Sequence, residues 1–297
     1  MIYLFSNRAL SGRHDGPEEV LAQYVEDLDY EFITTKTISN SNSIINNFSP
    51  VYNYHFLRHM LKIPKGSELV FFPFHTIPIF ACMFLHNRFD YKVIAYDSFF
   101  RNYLLLRNRR RGLSNVAKNY VWITYFFILE LLTSRVFKEI FFVSKKCCVF
   151  SEKYFKRGKS KLFSINVRVP KNYTLEAVDW SCGEVDILGP FLKDYDVHDL
   201  NNTIRKLKSF GVDCDRINLV GKGAKTVLKH RNFSERIEWL ADYELFFKTR
   251  CHVVILNKAA GAGVPTKVQK LVRLRKTVFV HRGIDVGAGY LNLVGYF

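Results

Sequence analysis

Short apolar runs alternate along the chain with longer stretches of helical periodicity. In the first half, runs rich in β-branched and aromatic residues predict strands at residues 2–6, 30–34, 68–74, 91–95 and 139–144. Runs such as residues 69–72 are apolar at every position, which is typical of strands buried on both faces in a parallel sheet. The pattern therefore predicts a doubly wound α/β lobe over residues 1–170.

The same rhythm repeats in the second half of the chain. It predicts strands at residues 184–188, 216–220, 252–256 and 277–281, with helical stretches around 199–210 and 266–275. A break at residues 169–173, which contain Pro170 and Asn172, separates the halves. We expect a second Rossmann-like βαβ lobe at residues 171–297 and a cleft between the two lobes.

The longest apolar run covers residues 121–132 and includes Glu130. It is too short for the ~20 residues that a bilayer-spanning helix requires. The run therefore predicts a helix buried inside the first lobe.

Composition indicates a folded and strongly basic protein. Apolar residues make up 48% of the chain, and 44 Lys and Arg exceed 27 Asp and Glu to give a net charge of +17. Such a charge attracts nucleic acid, anionic lipid or sugar nucleotides, and charge alone does not choose among them. No helix-turn-helix, RRM or zinc-finger pattern is present, so nucleic acid is not an expected partner.

The sequence also bears on compartment and membrane contact. The six cysteines form no CxxC pair and no secretory signal is visible, which favours a cytoplasmic protein with reduced thiols. An aromatic content of 15% suits either apolar surface placed against lipid or a large core. The basic residues Arg107, Arg109, Arg110 and Arg111 follow the aliphatic residues 104–106, a mixture expected at anionic headgroups or on an ordinary solvated helix face.

Two glycine-rich turns follow predicted strands in the second half. Gly261 and Gly263 stand between a strand and a helix, where backbone N–H groups can approach a phosphate and Lys267 can add charge. The second turn, with Gly221, Lys222 and Gly223, also ends a strand, and ligands gather at that edge of open α/β sheets. Each turn alone could equally be a tight structural connection.

Two polar residues end buried strands in the first half. His75 could position a hydroxyl or accept its proton, and Asp97 could orient the hydroxyl or hydrogen-bond a sugar. A core histidine with its hydrogen bonds satisfied and a helix N-cap aspartate are the alternatives. The sequence contains no P-loop and no zinc-spaced Cys/His set, so neither a metal nor a cofactor is expected.

Several of these segments, in this order, resemble GT-B glycosyltransferases of the family 4 type, which are common in lipopolysaccharide and capsule synthesis. The resemblance is carried in the second half by residues 186–190, 217–223, 237–240, 252–256 and 261–268. In the first half it is carried by residues 141–144 and by Gly16, which resembles the acceptor-side loop of that family.

The resemblance implies a nucleotide-sugar donor whose diphosphate lies near Gly261, Gly263, Thr266 and Lys267. It implies that the first lobe receives a lipid-linked or glycan acceptor, and that the enzyme lies peripherally at the inner face of the plasma membrane. Members of this type usually retain anomeric configuration and need no metal, because basic side chains and helix ends neutralise the leaving diphosphate.

Two departures from the family pattern leave an alternative open. Lys270 stands where the family places a glutamate for the ribose, and Phe297 follows the last predicted strand closely, whereas family members continue with further helices. We therefore expect a shortened C-terminal lobe. The alternative function is a catalytically inactive GT-B relative that acts as a membrane-associated binding or scaffold subunit.

Overall fold

A computed structural model of the chain describes residues 1–7, 17–38, 44–107, 113–155, 158–163, 180, 184–189, 191, 194–213, 217–221, 223–229, 253–257, 268–281, 284 and 294–296. The chain divides into two compact units, Met1–Leu104 with Ala117–Asn166, and Leu105–Val116 with Val167–Phe297. The boundary predicted at residues 169–173 lies outside the described residues, so the limits of the two lobes stay a prediction.

The first unit is built on a six-stranded parallel sheet in the order β2-β1-β3-β4-β5-β6. Its strands are β1 Ile2–Ser6, β2 Tyr30–Thr34, β3 Glu68–Phe72, β4 Asp90–Tyr96, β5 Glu139–Phe142 and β6 Ser160–Leu162. The five predicted strands are confirmed with ends that differ by two residues at most. β6 was not predicted, because this short strand is polar and largely exposed.

Helices connect these strands. They are α1 Pro17–Val25, α2 Thr35–Ile38, α3 Pro50–Met60, α4 Ile79–Phe84, α5 Phe99–Leu106, α6 Leu113–Val136 and α7 Lys145–Tyr154, with 3₁₀ turns at Ile44–Phe48 and Phe74–Thr76. The caps follow from the sequence. The Ser49 side chain accepts from Tyr52 N–H ahead of Pro50, and the Ser144 side chain accepts from Cys147 N–H.

Aromatic rings fill the core of the first unit. Phe5 on β1 and Phe71 on β3 stack with ring centroids 4.8 Å apart, and Phe71 also meets Phe137 at 5.9 Å. All three side chains are fully buried. Burying rings of this size supplies most of the hydrophobic stabilisation available to a sheet covered on both faces.

At the amino ends of its strands, the sheet carries an ion cluster. Lys92 Nζ on β4 lies 2.8 Å from Glu68 on β3 and 3.4 Å from Glu139 on β5. One ammonium group thus links three neighbouring strands. The cluster is confined to the edge opposite the strand ends that carry His75 and Asp97.

The second unit contains a five-stranded parallel sheet in the order β11-β10-β9-β7-β8. Its elements are β7 Val185–Leu188, α8 Asp194–Ser209, β8 Ile217–Val220, α9 Ala224–Lys229, β9 Val253–Leu256, α10 Val268–Arg273, β10 Thr277–Val280 and β11 Gly295–Tyr296. The four predicted strands are confirmed, and among the described residues of this unit the two-residue β11 is the one strand that was not predicted. The predicted fold class of two parallel α/β domains is therefore correct.

The long helix α6 is less buried than the sequence predicted. Residues 121–132 are helical as predicted, but the helix is not buried throughout, since Val121 is 68% and Ile128 42% exposed. Its inward side carries the polar residues Asn119, Glu130, Thr133 and Ser134, all buried. Apolar residues recur around the whole helix, so periodicity could not tell which side faces the core. Within the described part of the chain, no helix combines the length and apolarity that crossing a bilayer requires.

Candidate functional site at the carboxyl edge of the first sheet

The carboxyl ends of four adjacent strands in the first sheet carry polar residues. Asn7 follows β1, His75 follows β3, Asp97 follows β4 and Ser144 follows β5. Parallel strands end on one edge, and ligands of open α/β sheets bind there. The structure thus brings the predicted His75 and Asp97 to the same edge, on neighbouring strands, and adds Asn7, which the sequence did not single out.

Asn7 and His75 form a direct side-chain hydrogen bond. Asn7 Nδ2 lies 2.8 Å from His75 Nε2 across the neighbouring strands β1 and β3. An amide nitrogen can only donate, so Nε2 is the acceptor in this bond. To accept a proton at Nε2, His75 must first release Asn7. The bond thus fixes the orientation of the His75 ring at the carboxyl edge.

The end of β4 is a strained turn. Tyr96 has φ 65°, and Asp97 N–H donates to Ala95 O at 2.8 Å, which closes a three-residue γ-turn. The pairing with β5 also shifts register between Ile94 and Tyr96. A bulky residue in this region costs on the order of 1–3 kcal/mol, and such strain clusters at functional sites. The turn sets the direction in which Asp97 and Ser98 leave the sheet.

Ser98 caps the helix that follows. Its Oγ accepts from Arg101 N–H at 3.1 Å, three residues on, which is the N-cap geometry of α5. Ser98 Oγ also donates to Glu130 Oε2 at 2.8 Å, and Phe100 N–H donates to Glu130 Oε1 at 2.9 Å. The N-cap position that was an alternative for Asp97 therefore belongs to Ser98.

Glu130 is the main site residue that the sequence did not single out. Its side chain is almost fully buried in α6. The pKa of Glu130 is raised to about 7, chiefly by burial and in part by the Asp97 charge, against the lowering effect of hydrogen bonds from Phe100, Ser98 and Phe99. The carboxyl thus changes protonation near neutral pH beneath the turn that carries Asp97. A single acid inside the apolar run 121–132 was the available signal.

Cys147 lies close to the same turn but is not a nucleophile. Its thiol is buried, and Arg101 donates to Sγ at 3.8 Å. Burial raises the pKa of Cys147 to about 12, and the Asp97 charge adds to the increase. Since a thiolate is the reactive form, this thiol stays protonated and inert at neutral pH.

The second sheet also gathers distinctive residues at its carboxyl edge. Gly189, Gly221, Asn257 and His281 follow β7, β8, β9 and β10. Gly221 has φ 129° and Gly223 has φ 92°, values that side-chain-bearing residues rarely adopt, so this predicted turn requires glycine.

His281 is fixed by a partner on α8. Its Nε2 lies 2.8 Å from Thr203 Oγ1, whose hydroxyl donates to Asp199 O at 2.9 Å. Because a hydroxyl has one hydrogen, the Thr203 oxygen accepts from Nε2–H of His281. The histidine thus joins the end of β10 to α8, a link that no sequence pattern indicated.

Many predicted site residues fall outside the described residues. They are Gly16, Arg109, Arg110, Arg111, Lys222, Gly261, Gly263, Thr266 and Lys267. Arg107, directly after α5, is described and exposed. Over the described ranges, no three His, Cys, Asp or Glu side chains form a group that could hold a metal ion.

Comparisons with known proteins give matches in structure alone. No protein-family model matches the chain. No curated protein sequence matches it either. The lipopolysaccharide outer core galactosyltransferase WaaB, in its apo form, is similar with a TM-score of 0.55 at 11% identity, over 96% of this chain and 82% of WaaB.

TarM is a second similar structure, with a TM-score of 0.50 at 11% identity over 81% of this chain and 46% of TarM. A mutant of S. aureus TarM in complex with Fondaparinux, alpha-GlcNAc-glycerol and UDP gives a TM-score of 0.46 at 10% identity, over 77% of this chain and 45% of that one. The chain thus spans less than half the length of TarM. WaaB is a galactosyltransferase of the lipopolysaccharide outer core, and the chain shares the two-domain α/β fold of WaaB and TarM. Membership of the family 4 type stays a prediction.

Proposed function

We propose that this chain is a glycosyltransferase that moves a sugar from a nucleotide-sugar donor to a glycan or lipid-linked acceptor in surface polysaccharide synthesis. The observation that carries the proposal is the likeness of fold to WaaB, a galactosyltransferase of the lipopolysaccharide outer core, over 96% of this chain. Polar residues at the carboxyl edge of one sheet and glycine turns at that of the other support it.

The second unit would bind the donor. The positive φ values of Gly221 and Gly223 support an approach of ligand to backbone at the end of β8. The remaining donor contacts that we propose are Lys222, Gly261, Gly263, Thr266 and Lys267. In this proposal, backbone N–H groups and Lys267 stabilise the negative charge of the leaving diphosphate, without a metal ion or a cofactor.

The first unit would bind the acceptor, with Gly16 in the loop before α1. His75, oriented by Asn7, would hold the acceptor hydroxyl, and Asp97 would hydrogen-bond the sugar or orient that hydroxyl. The transfer would retain anomeric configuration and pass through a transition state with oxocarbenium character. The Arg107, Arg109, Arg110 and Arg111 patch would bring the enzyme to an anionic membrane at the inner face of the plasma membrane.

The test is a panel of sugar nucleotides, read by thermal shift and by transfer or hydrolysis. We expect one donor to raise the melting temperature, because a ligand that binds only the folded state stabilises it. Lys267→Ala should abolish the shift, while Lys208→Ala, an exposed lysine on α8, should preserve it. No shift and no turnover with any donor would reject the enzyme and leave the scaffold alternative.

A further inference from the structure

The outward side of α6 is an apolar stripe open to solvent. The α6 stripe consists of Tyr120, Val121, Thr124, Phe127 and Ile128, all of them exposed. Their spacing of three, four and seven residues places them on one side of the helix. The opposite side faces the core and buries Glu130 and its polar neighbours. The core-facing side also buries Phe126 and Leu129, so α6 is apolar on both sides, whereas an ordinary surface helix is polar on its outer side.

Aromatic contacts extend the α6 stripe on both flanks. On one side, the Phe127 ring lies 5.9 Å from that of Phe155, directly after α7. On the other side, Tyr125 packs on Phe48 at 5.2 Å, and Phe48 packs on Phe80 of α4 at 5.8 Å. Phe84, also on α4, is 75% exposed. Single apolar residues scattered over a surface are normal, whereas an apolar face that spans three helices indicates an interaction surface.

The charges around the α6 stripe are basic. Lys118 and Arg135 are exposed near the two ends of α6, and Lys153 is exposed on α7. Among the residues of α5, α6 and α7 the acids are Glu130, which is buried, and Glu152, which accepts from Gly158 N–H and Ser160 N–H. An apolar face with basic flanks is complementary to lipid headgroups of negative charge.

We propose that the α6 stripe is a membrane-docking surface, which seats α6 at the headgroup boundary of an anionic bilayer. The inference rests on the membrane partner proposed above and assigns the contact to residues other than the four arginines. A second copy of the chain fits this face less well. Pairing two α6 stripes would bring Lys118, Arg135 and Lys153 of one copy towards the same cations of the other, without an exposed acid between them.

The test uses the full chain and vesicles of phosphatidylcholine, with and without phosphatidylglycerol. Val121→Ser combined with Ile128→Ser removes apolar surface at two exposed positions and should leave the fold intact. We expect this double variant to co-sediment with the anionic vesicles roughly tenfold less than wild type, because inserted apolar area sets the partitioning. Leu274→Ser, at an exposed position of the second unit, is the matched control and should bind as wild type does.

The outcomes separate this inference from the transfer chemistry. Undiminished binding of the double variant to anionic vesicles would overturn the inference, and so would equal binding of wild type to neutral vesicles. A wild-type dimer that the double variant loses, with no vesicle binding by either, would assign the face to a second copy and overturn it as well. The donor-induced thermal shift reports on the proposed enzyme separately, and the double variant should retain it.

Discussion

The hydroxyl of Ser98 donates to Oε2 of the buried Glu130 at 2.8 Å and so ties the start of α5 to the middle of α6. Phe100 N–H donates to the other oxygen of the same carboxyl. Two groups from the first turn of α5 therefore share one acid, directly after the strained turn at Tyr96. This contact between the two helices thus fixes the start of α5, which directly follows Asp97.

Replacing Ser98 by alanine should destabilise the first unit. The change removes both the cap of Arg101 N–H and the hydroxyl that donates to Glu130, so we expect a loss of about 1–2 kcal/mol in the free energy of unfolding, measured with urea. Ser98→Thr keeps the hydroxyl and should recover most of the loss. An alanine variant as stable as wild type would contradict the capping role.

Glu130 should make stability depend on pH in an unusual direction. Its pKa is about 7 in the folded protein and near 4.5 once exposed, so between these values the folded state holds a proton that the unfolded state lacks. The stabilising contribution is therefore complete below pH 4.5 and is lost as the pH rises through 7. The loss is at most about 3 kcal/mol. Glu130→Gln should remove this dependence.

The measurement is the difference in unfolding free energy between Glu130→Gln and wild type, followed from pH 5 to pH 8. We expect the difference to shift in favour of the variant as the pH rises. Leu274→Ser, an exposed position without a titrating side chain, provides the control for the pH series. Parallel curves for wild type and Glu130→Gln would show that this carboxyl does not titrate in that range.

The Asn7–His75 pair should affect transfer more than stability. His75→Ala removes the group proposed to hold the acceptor hydroxyl, and we expect kcat to fall about 10²-fold or more. Asn7→Ala leaves the imidazole but removes the donor that orients it, so a smaller fall of about tenfold is expected. Initial rates with a soluble acceptor measure both effects. A Tm change large enough to account for the lost rate would instead indicate a structural role.

Lys92 should matter for stability alone. Lys92→Met leaves Glu68 and Glu139 without the cation that joins them, and we expect a loss of about 1 kcal/mol in the free energy of unfolding. The cluster occupies the amino ends of the strands, so the donor-induced thermal shift should not change. Chemical denaturation measures the loss in unfolding free energy, and the donor panel measures whether the thermal shift is unchanged. A lost donor shift in a folded variant would contradict it.

The strands could be predicted because local signals and tertiary burial agree. β3 and β9 are apolar at nearly every position and lie buried on both faces, so a continuous run identifies them without further information. β6 lies at the edge of the sheet and consists of polar, largely exposed residues, so its composition does not indicate a strand. Its pairing with β5 is what makes it one. A window as short as β6 contains no signal for its pairing with β5.

The site was only partly predictable. His75 and Asp97 follow strands, so position alone places them at the carboxyl edge. Glu130 accepts hydrogen bonds from the start of α5, so its role depends on where that helix lies in the fold. The contact between Ser98 and Glu130 spans 32 residues of sequence. The sequence does not indicate the positive φ of Tyr96, because bulky residues rarely adopt that conformation. Contacts between residues that are far apart in the sequence leave no local pattern from which they could be predicted.

The strand order of the first sheet has a consequence for biosynthesis. β1 is made first and lies between β2 and β3, after which β4, β5 and β6 each add to the edge of the strand made just before. A nascent chain can therefore extend this sheet strand by strand as it leaves the ribosome. While β3, β4 or β5 is the newest strand, it presents an unpaired and largely apolar edge that invites aggregation. In this order the partner of each of these three strands is the next strand to emerge, while β2 and β6 remain the edges of the finished sheet.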